Sequence, residues 1–128
     1  MKVTILIPAF NEEKNIAYTI QGLKNLDENF CRKNQLDLDI IVIDDGSQDQ
    51  TSTKAKDAGV KVIQLRKNKG KGNALREGLK HAESDIMVFL DADLRESSSE
   101  TFKLISPILS NEADVVIARF KKQAKKKG

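Results

Sequence analysis

Histidine and cysteine are nearly missing from this 128-residue chain: His81 and Cys31 are the only ones. A single cysteine excludes an intrachain disulfide and a cysteine-built zinc site, and it fits a cytoplasmic setting. Any metal must therefore rest on carboxylates, which suits Mg²⁺, Mn²⁺ or Ca²⁺ better than zinc. Long hydrophobic runs are also missing. No stretch approaches the roughly 20 apolar residues of a membrane-spanning helix. The segment Met1–Ile7 is too short for a secretory leader and has no small-residue cleavage site. It reads as a first strand.

A global excess of one charge is absent too. The formal net charge is +3, but Arg119, Lys121, Lys122, Lys125, Lys126 and Lys127 supply six of the 22 basic residues. Residues 1–118 then hold 16 basic against 19 acidic groups, so the basic character belongs to a tail. Such a tail can touch anionic lipid; the plainer reading is a solvated end, and no nucleic-acid partner is expected. The remaining composition, 39% hydrophobic and 32% charged, fits one soluble globular domain with one core.

Strand and helix patterns alternate along the chain. Val3–Ile7 is β-branched and apolar and stops at Pro8. Ile16, Ile20 and Leu23 mark one face of a helix over 12–26, with Asn11 as its cap and Glu12 and Glu13 at its positive end. A polar link, 27–37, leads to Leu38–Ile43, apolar enough for a strand covered on both faces. Ser47 and Gln50 have capping-box spacing for a second helix that stops at Gly59. Val60–Leu65 is a third strand, and Ala74, Leu75, Leu79 and Ala82 mark a third helix. Ile86–Leu90 is a fourth strand. Ser97 and Glu100 again have capping-box spacing, for a helix with Phe102, Ile105 and Leu109 that breaks near Pro107. Val115–Ala118 is a fifth strand. The pattern βαβαβαβαβ predicts an α/β fold, a mostly parallel sheet flanked by helices on both faces.

In such sheets ligands bind beyond the carboxyl ends of the strands. There the chain places Pro8-Ala9-Phe10-Asn11-Glu12, then Asp44-Asp45-Gly46, then the basic glycine loop Arg66–Gly72, then Asp91-Ala92-Asp93. Asp91 and Asp93 can share one hard cation, with a diphosphate completing its shell. Lys67, Lys69 and Lys71 can add counter-charge, while Gly70 and Gly72 let backbone N–H groups approach a phosphate. Asp44 and Asp45 can accept hydrogen bonds from a nucleobase or ribose.

Each signal also has a plainer reading. Asp-x-Asp alone is common turn chemistry, and Asp44–Ser47 can be a turn with a cap. The segment Gly70–Leu75 is similar to a dinucleotide fingerprint, but it follows the third strand and puts Leu75 where a small residue belongs. Gly78 can mark close helix–sheet packing, His81 a surface position and Cys31 a small side chain in a linker. The binding reading gains from four signals falling on one rim in strand order.

Together the segments Ile7–Glu12, Val42–Ser47, Asn68–Gly78 and Phe89–Asp93 resemble family 2 of the glycosyltransferases, in order and in spacing, over residues 3 to 119. Their form is most similar to dolichyl- or polyprenyl-phosphate sugar synthases and glucosyl-3-phosphoglycerate synthases. The resemblance implies a GT-A fold with a Rossmann-like sheet and sugar transfer from a UDP- or GDP-sugar. It implies that Pro8, Ala9, Phe10 and Glu12 line the base and ribose pocket. Asp44 then meets the base with Asp45 and Gly46 beside it, Lys71 and Gly72 lie along the nucleotide, and Asp91, Ala92 and Asp93 form the DxD segment at an Mg²⁺ or Mn²⁺ ion. Residues 1–119 are then the donor-binding domain, and 120–128 a basic tail or the start of an acceptor half. A fifth strand running into Lys125–Gly128 reads as a truncation, with the catalytic base expected in the missing half. The sugar and the acceptor stay open; a phosphoglycerate, another hydroxyl or a lipid phosphate at the membrane face are candidates. An uncovered sheet edge allows a homodimer.

Competing readings are a receiver-like signalling domain, a nucleotidyltransferase and a non-catalytic nucleotide-binding fragment. A receiver wants its acid pair after strand one and a phospho-accepting aspartate after strand three. Here those strands end in Pro8-Ala9-Phe10 and Arg66-Lys67. A nucleotidyltransferase wants a basic glycine-rich signature after strand one, which is absent.

Overall fold

The computed structural model describes residues 2–26, 28–84, 86–105 and 114–117. Five strands, β1 (Lys2–Ala9), β2 (Asp37–Asp44), β3 (Lys61–Gln64), β4 (Ile86–Phe89) and β5 (Asp114–Ile117), form one sheet in the order β3-β2-β1-β4-β5. Every pairing is parallel. The helices are α1 (Ile16–Lys24), α2 (Glu28–Lys33), α3 (Thr51–Asp57), α4 (Lys71–His81) and α5 (Ser98–Ile105), and a 3₁₀ turn, Arg95–Ser97, leads into α5. The expected α/β architecture, a parallel sheet with helices on both faces, is what forms.

The central strand shows why. Side chains alternate between the faces of a strand, and β1 is buried from Val3 through Ala9. Val3, Ile5, Ile7 and Ala9 join Ile16, Ile20 and Leu23 of α1, Ala55 of α3 and Phe102 of α5 in one core layer. Leu6 points the other way, into a layer with Ile41, Ile43, Phe89 and Ala74 of α4. Burying each such aliphatic side chain stabilises the fold by about 1.5–3 kcal/mol. Gly78 sits where α4 crosses the sheet: a Cβ there would lie 2.8 Å from Ile43 Cδ1 and 3.2 Å from Leu6 Cδ2. Among the described residues no helix is long and apolar enough to cross a membrane.

Local signals misplace several boundaries. The first helix begins at Ile16, not at residue 12, because Glu12–Asn15 form a turn closed by Asn15 N and Ile16 N on Glu12 O. Asn11 is therefore no cap; it sits at φ +52°, a conformation asparagine tolerates better than most residues. Ser47 and Gln50 make no capping box. Ser47 Oγ accepts from Asn11 N, α3 starts at Thr51, and Asp49 Oδ1 accepts from Thr51 N at 2.9 Å. Ser97 likewise lies in the 3₁₀ turn, its hydroxyl donating to Leu94 O. The expected link 27–37 contains α2, and Cys31 lies on that helix, half-buried against the larger core layer. Gly59, at φ +85°, does follow the end of α3, and His81 is exposed at the end of α4. Pro107, Leu109, Ala118 and the basic tail lie outside the described residues.

Candidate functional site

The strand order reverses between β1 and β4, and the crevice beyond such a reversal is where open parallel sheets hold ligands. Register decides what meets there. Leu6 pairs with Phe89, and Leu90 N donates to Leu6 O at 3.1 Å. β1 continues to Ala9 while the chain after β4 turns away, so Pro8 and Phe10 come to face the Asp91–Asp93 segment. A cavity of about 410 Å³ opens between them, lined by Pro8, Phe10, Glu12, Lys71, Asp91, Ala92 and Asp93. Phe10 is 44% exposed there.

The β1–α1 loop forming one wall is laced to the β2–α3 loop. Asp45 N donates to Ala9 O, Asn11 N to Ser47 Oγ and Gln48 N to Asn11 Oδ1, at 2.8–3.0 Å. Glu12 N donates to Thr51 Oγ1 at 2.9 Å, and Gln50 N to Glu13 Oε2 at 3.1 Å. Asp49 Oδ2 accepts from Glu13 N at 3.2 Å. Burial pushes the Asp49 carboxyl up, but hydrogen bonds from the Thr51 hydroxyl and from the Thr51 and Glu13 amides outweigh it and hold it below its ordinary value. Sequence reasoning missed this lacing; the density of short hydrogen-bonding side chains over 44–51 was its only signal.

The other expected site residues do not line the cavity. Asp44 is 1% exposed; its Oδ1 accepts from Ser47 N at 2.8 Å and its Oδ2 from Ser52 Oγ. Asp45 is 4% exposed and grips the basic loop, Oδ1 accepting from Lys69 N at 3.0 Å and Oδ2 from Gly70 N at 2.9 Å. The Gly70 amide, expected to be free for a phosphate, is thus turned inward. Gly46, at φ +76°, lets the Lys67–Asn68 backbone pass so closely that a Cβ would lie 2.6 Å from it. Ala9 is buried in β1. Gly72 is exposed in the first turn of α4 but does not line the cavity.

Lys71 does reach in. Its Nζ lies 2.5 Å from Asp91 Oδ1, the lysine side chain 43% exposed and the aspartate 14%. A pair this exposed is worth about 0.2–1 kcal/mol, little enough for a stronger ligand to part it. Asp91 and Asp93 supply two hard oxygen donors. Among the described residues no third histidine, cysteine or acid joins them in a metal-holding group. Two carboxylates with the remaining positions left to ligand oxygens fit the habit of Mg²⁺ and the similar Mn²⁺.

The model of glycosyl transferase family 2 matches residues 4–128, and the chain belongs to that family. It is 36% identical over 121 residues to a dolichol-phosphate mannosyltransferase of Pyrococcus furiosus, covering 91% of this chain and 32% of the relative. It is 34% identical over 100 residues to human dolichyl-phosphate beta-glucosyltransferase, covering 72% of this chain and 31% of that one. Among solved structures, glucosyl-3-phosphoglycerate synthase of Mycobacterium tuberculosis, in complex with Mn²⁺, uridine diphosphate and glucosyl-3-phosphoglycerate, superposes with a TM-score of 0.70 at 30% identity. That match covers 87% of this chain and 40% of the synthase. The chain thus spans well under half the length of these proteins, and the fold the synthase shares with it is the expected GT-A-like sheet.

Proposed function

We propose that the chain is the donor-binding part of a glycosyltransferase that moves a sugar from a UDP- or GDP-sugar to an acceptor, with residues 1–119 as the donor-binding unit. One observation carries this: Asp91, Asp93, Lys71, Glu12 and Phe10 line one cavity at the strand-order reversal. The exposed ring of Phe10 offers a face for a nucleobase, and Glu12 accepts from ribose hydroxyls. Asp91 and Asp93 hold a divalent cation; when bound, it supplies Lewis-acid stabilisation of the departing diphosphate. Lys71, released from Asp91, donates to a phosphate oxygen and balances charge as the anomeric C–O bond breaks. Asp44 and Asp45, with Gly46, act from behind, holding the loops that form the base-side wall and the lysine loop. Gly72 keeps the first turn of α4 open beside the nucleotide. The acceptor's proton passes to a base in the acceptor half, unless the acceptor is already an anionic phosphate. A lipid phosphate at the membrane face or a phosphoglycerate fits the relatives' acceptors.

Calorimetric titration of UDP, GDP, UDP-glucose and GDP-mannose, each with Mn²⁺ and with EDTA, tests the proposal. Metal-dependent binding of one nucleotide class is expected. Failure of all four to bind in Mn²⁺ would defeat the donor-site reading.

A further inference from the structure

We infer that Thr19 is a positioning residue for the metal-holding segment, fixing the Ala92–Asp93 peptide from inside the protein; this rests on reading Asp91 and Asp93 as the metal pair. Thr19 lies on α1 among Ile16, Ile20 and Leu23, where the helical pattern asks for an apolar residue, and it is fully buried. Its hydroxyl has one proton and two carbonyls in reach, Ala92 O at 2.5 Å and Asn15 O at 3.2 Å. The shorter contact takes the proton, so the bond runs to the metal segment and not back along the helix. The same oxygen accepts from Arg95 N at 2.8 Å, and Thr19 O accepts from Ser98 Oγ at 2.8 Å. One residue thus ties α1 to the start, the end and the continuation of the turn that carries Asp93.

Two further features bear on that tie. Arg95 adopts φ +54°, a left-handed conformation that a non-glycine residue keeps only when its surroundings enforce it. Its amide is the group bound to Thr19, and its guanidinium lies 4.8 Å from the centroid of the Tyr18 ring and donates to Lys14 O at 3.3 Å. Gly22, one turn on from Thr19, lets α1 approach: a Cβ there would collide with Ser98 Oγ and lie 2.9 Å from Arg95 O. Groups that orient metal ligands from the second layer matter nearly as much as the ligands themselves. Here the oriented unit is the peptide linking Ala92 to Asp93.

The test uses Thr19→Val, which keeps the shape and deletes the hydroxyl, and Thr19→Ser, which restores it. Affinity for UDP or GDP is titrated with Mn²⁺ and with EDTA, and exchange of the Arg95 amide is followed without metal. Thr19→Val is expected to lower the Mn²⁺-dependent gain in affinity by about 10- to 100-fold, leave affinity in EDTA unchanged and speed Arg95 exchange; Thr19→Ser keeps the parent's metal gain and Arg95 exchange. Should the valine variant not fold, Thr19→Ala, which places no methyl against the unpaired carbonyl, takes its place. A full Mn²⁺ gain in Thr19→Val, alongside loss of the gain in Asp93→Ala, overturns the inference and spares the metal pair. A full gain in Asp93→Ala as well overturns the metal-pair reading itself, and the inference with it.

Discussion

Lys71 and Asp91 meet across the mouth of the β1–β4 crevice, Nζ to Oδ1 at 2.5 Å. Each group is the other's stand-in. The ammonium occupies a carboxylate suited to a cation, and the carboxylate occupies an ammonium suited to a phosphate. On the proposed function, binding a metal with a diphosphate would exchange both partners at once, at the cost of a weak exposed pair.

Replacing Lys71 with methionine separates the two halves of that exchange. Losing a charged hydrogen bond of about 1.5–3 kcal/mol should weaken UDP or GDP binding in Mn²⁺ about tenfold or more. Mn²⁺ alone should bind more tightly, because Asp91 no longer faces an ammonium. Calorimetry reads the first effect and the free-Mn²⁺ resonance signal the second. Unchanged behaviour in both would place Lys71 outside the site.

Asp45 is predicted to matter through loop order. Asp45→Ala leaves the Lys69 and Gly70 amides without the acceptor that holds them now. The loss should be about 2–3 kcal/mol in urea unfolding, with faster amide exchange at both positions. Asp45→Asn keeps a single acceptor oxygen and should fall between alanine and the parent.

Much of this was readable from the chain, and what was not has a common cause. The parallel alternation, the buried central strand and the rim carrying Asp91, Asp93, Lys71 and Phe10 follow from periodicity and from where the strands end. The strand order did not follow, because the β1–β4 pairing joins residues some 80 positions apart and leaves no local trace. The same holds for the caps. Ser47 has the spacing of a helix cap, yet its hydroxyl is taken by Asn11 N across the loops, and α3 starts later. Asp44 and Asp45 look from the sequence like groups free for a ligand. The fold buries them and satisfies them with neighbouring amides and the Ser52 hydroxyl. Thr19 carried the opposite signal, a polar residue on an apolar stripe, and only its tertiary partners explain it.

Two glycines of α4 should respond to alanine with opposite signs. At Gly72 a Cβ meets nothing within 4 Å, so alanine should stabilise the helix by about 0.5–1 kcal/mol. At Gly78 the new methyl meets Ile43 and Leu6. Overpacking costs about 1–3 kcal/mol and should exceed the propensity gain. Chemical unfolding of the two variants checks both signs.

Asp49 ties the two wall loops together, and its carboxyl lies below the ordinary value of 3.8. A carboxyl whose folded value is depressed stabilises the fold fully above its unfolded value and loses that effect as pH falls through the folded one. Asp49→Ala should therefore cost about 1 kcal/mol at neutral pH, and the gap to the parent should close as the pH drops below 3.8. A gap independent of pH would show that the charge of Asp49 is not what holds the loops.

The most direct test of the account is the metal dependence of nucleoside diphosphate binding in the parent chain, in Asp91→Ala and in Asp93→Ala. Titration with Mn²⁺ and with EDTA should show a large metal-dependent gain in the parent and almost none in either variant, with the affinities in EDTA alike. Equal affinity in Mn²⁺ and EDTA for the parent, or an undiminished gain in both variants, would contradict the assignment of Asp91 and Asp93 as the residues that hold the metal against the donor.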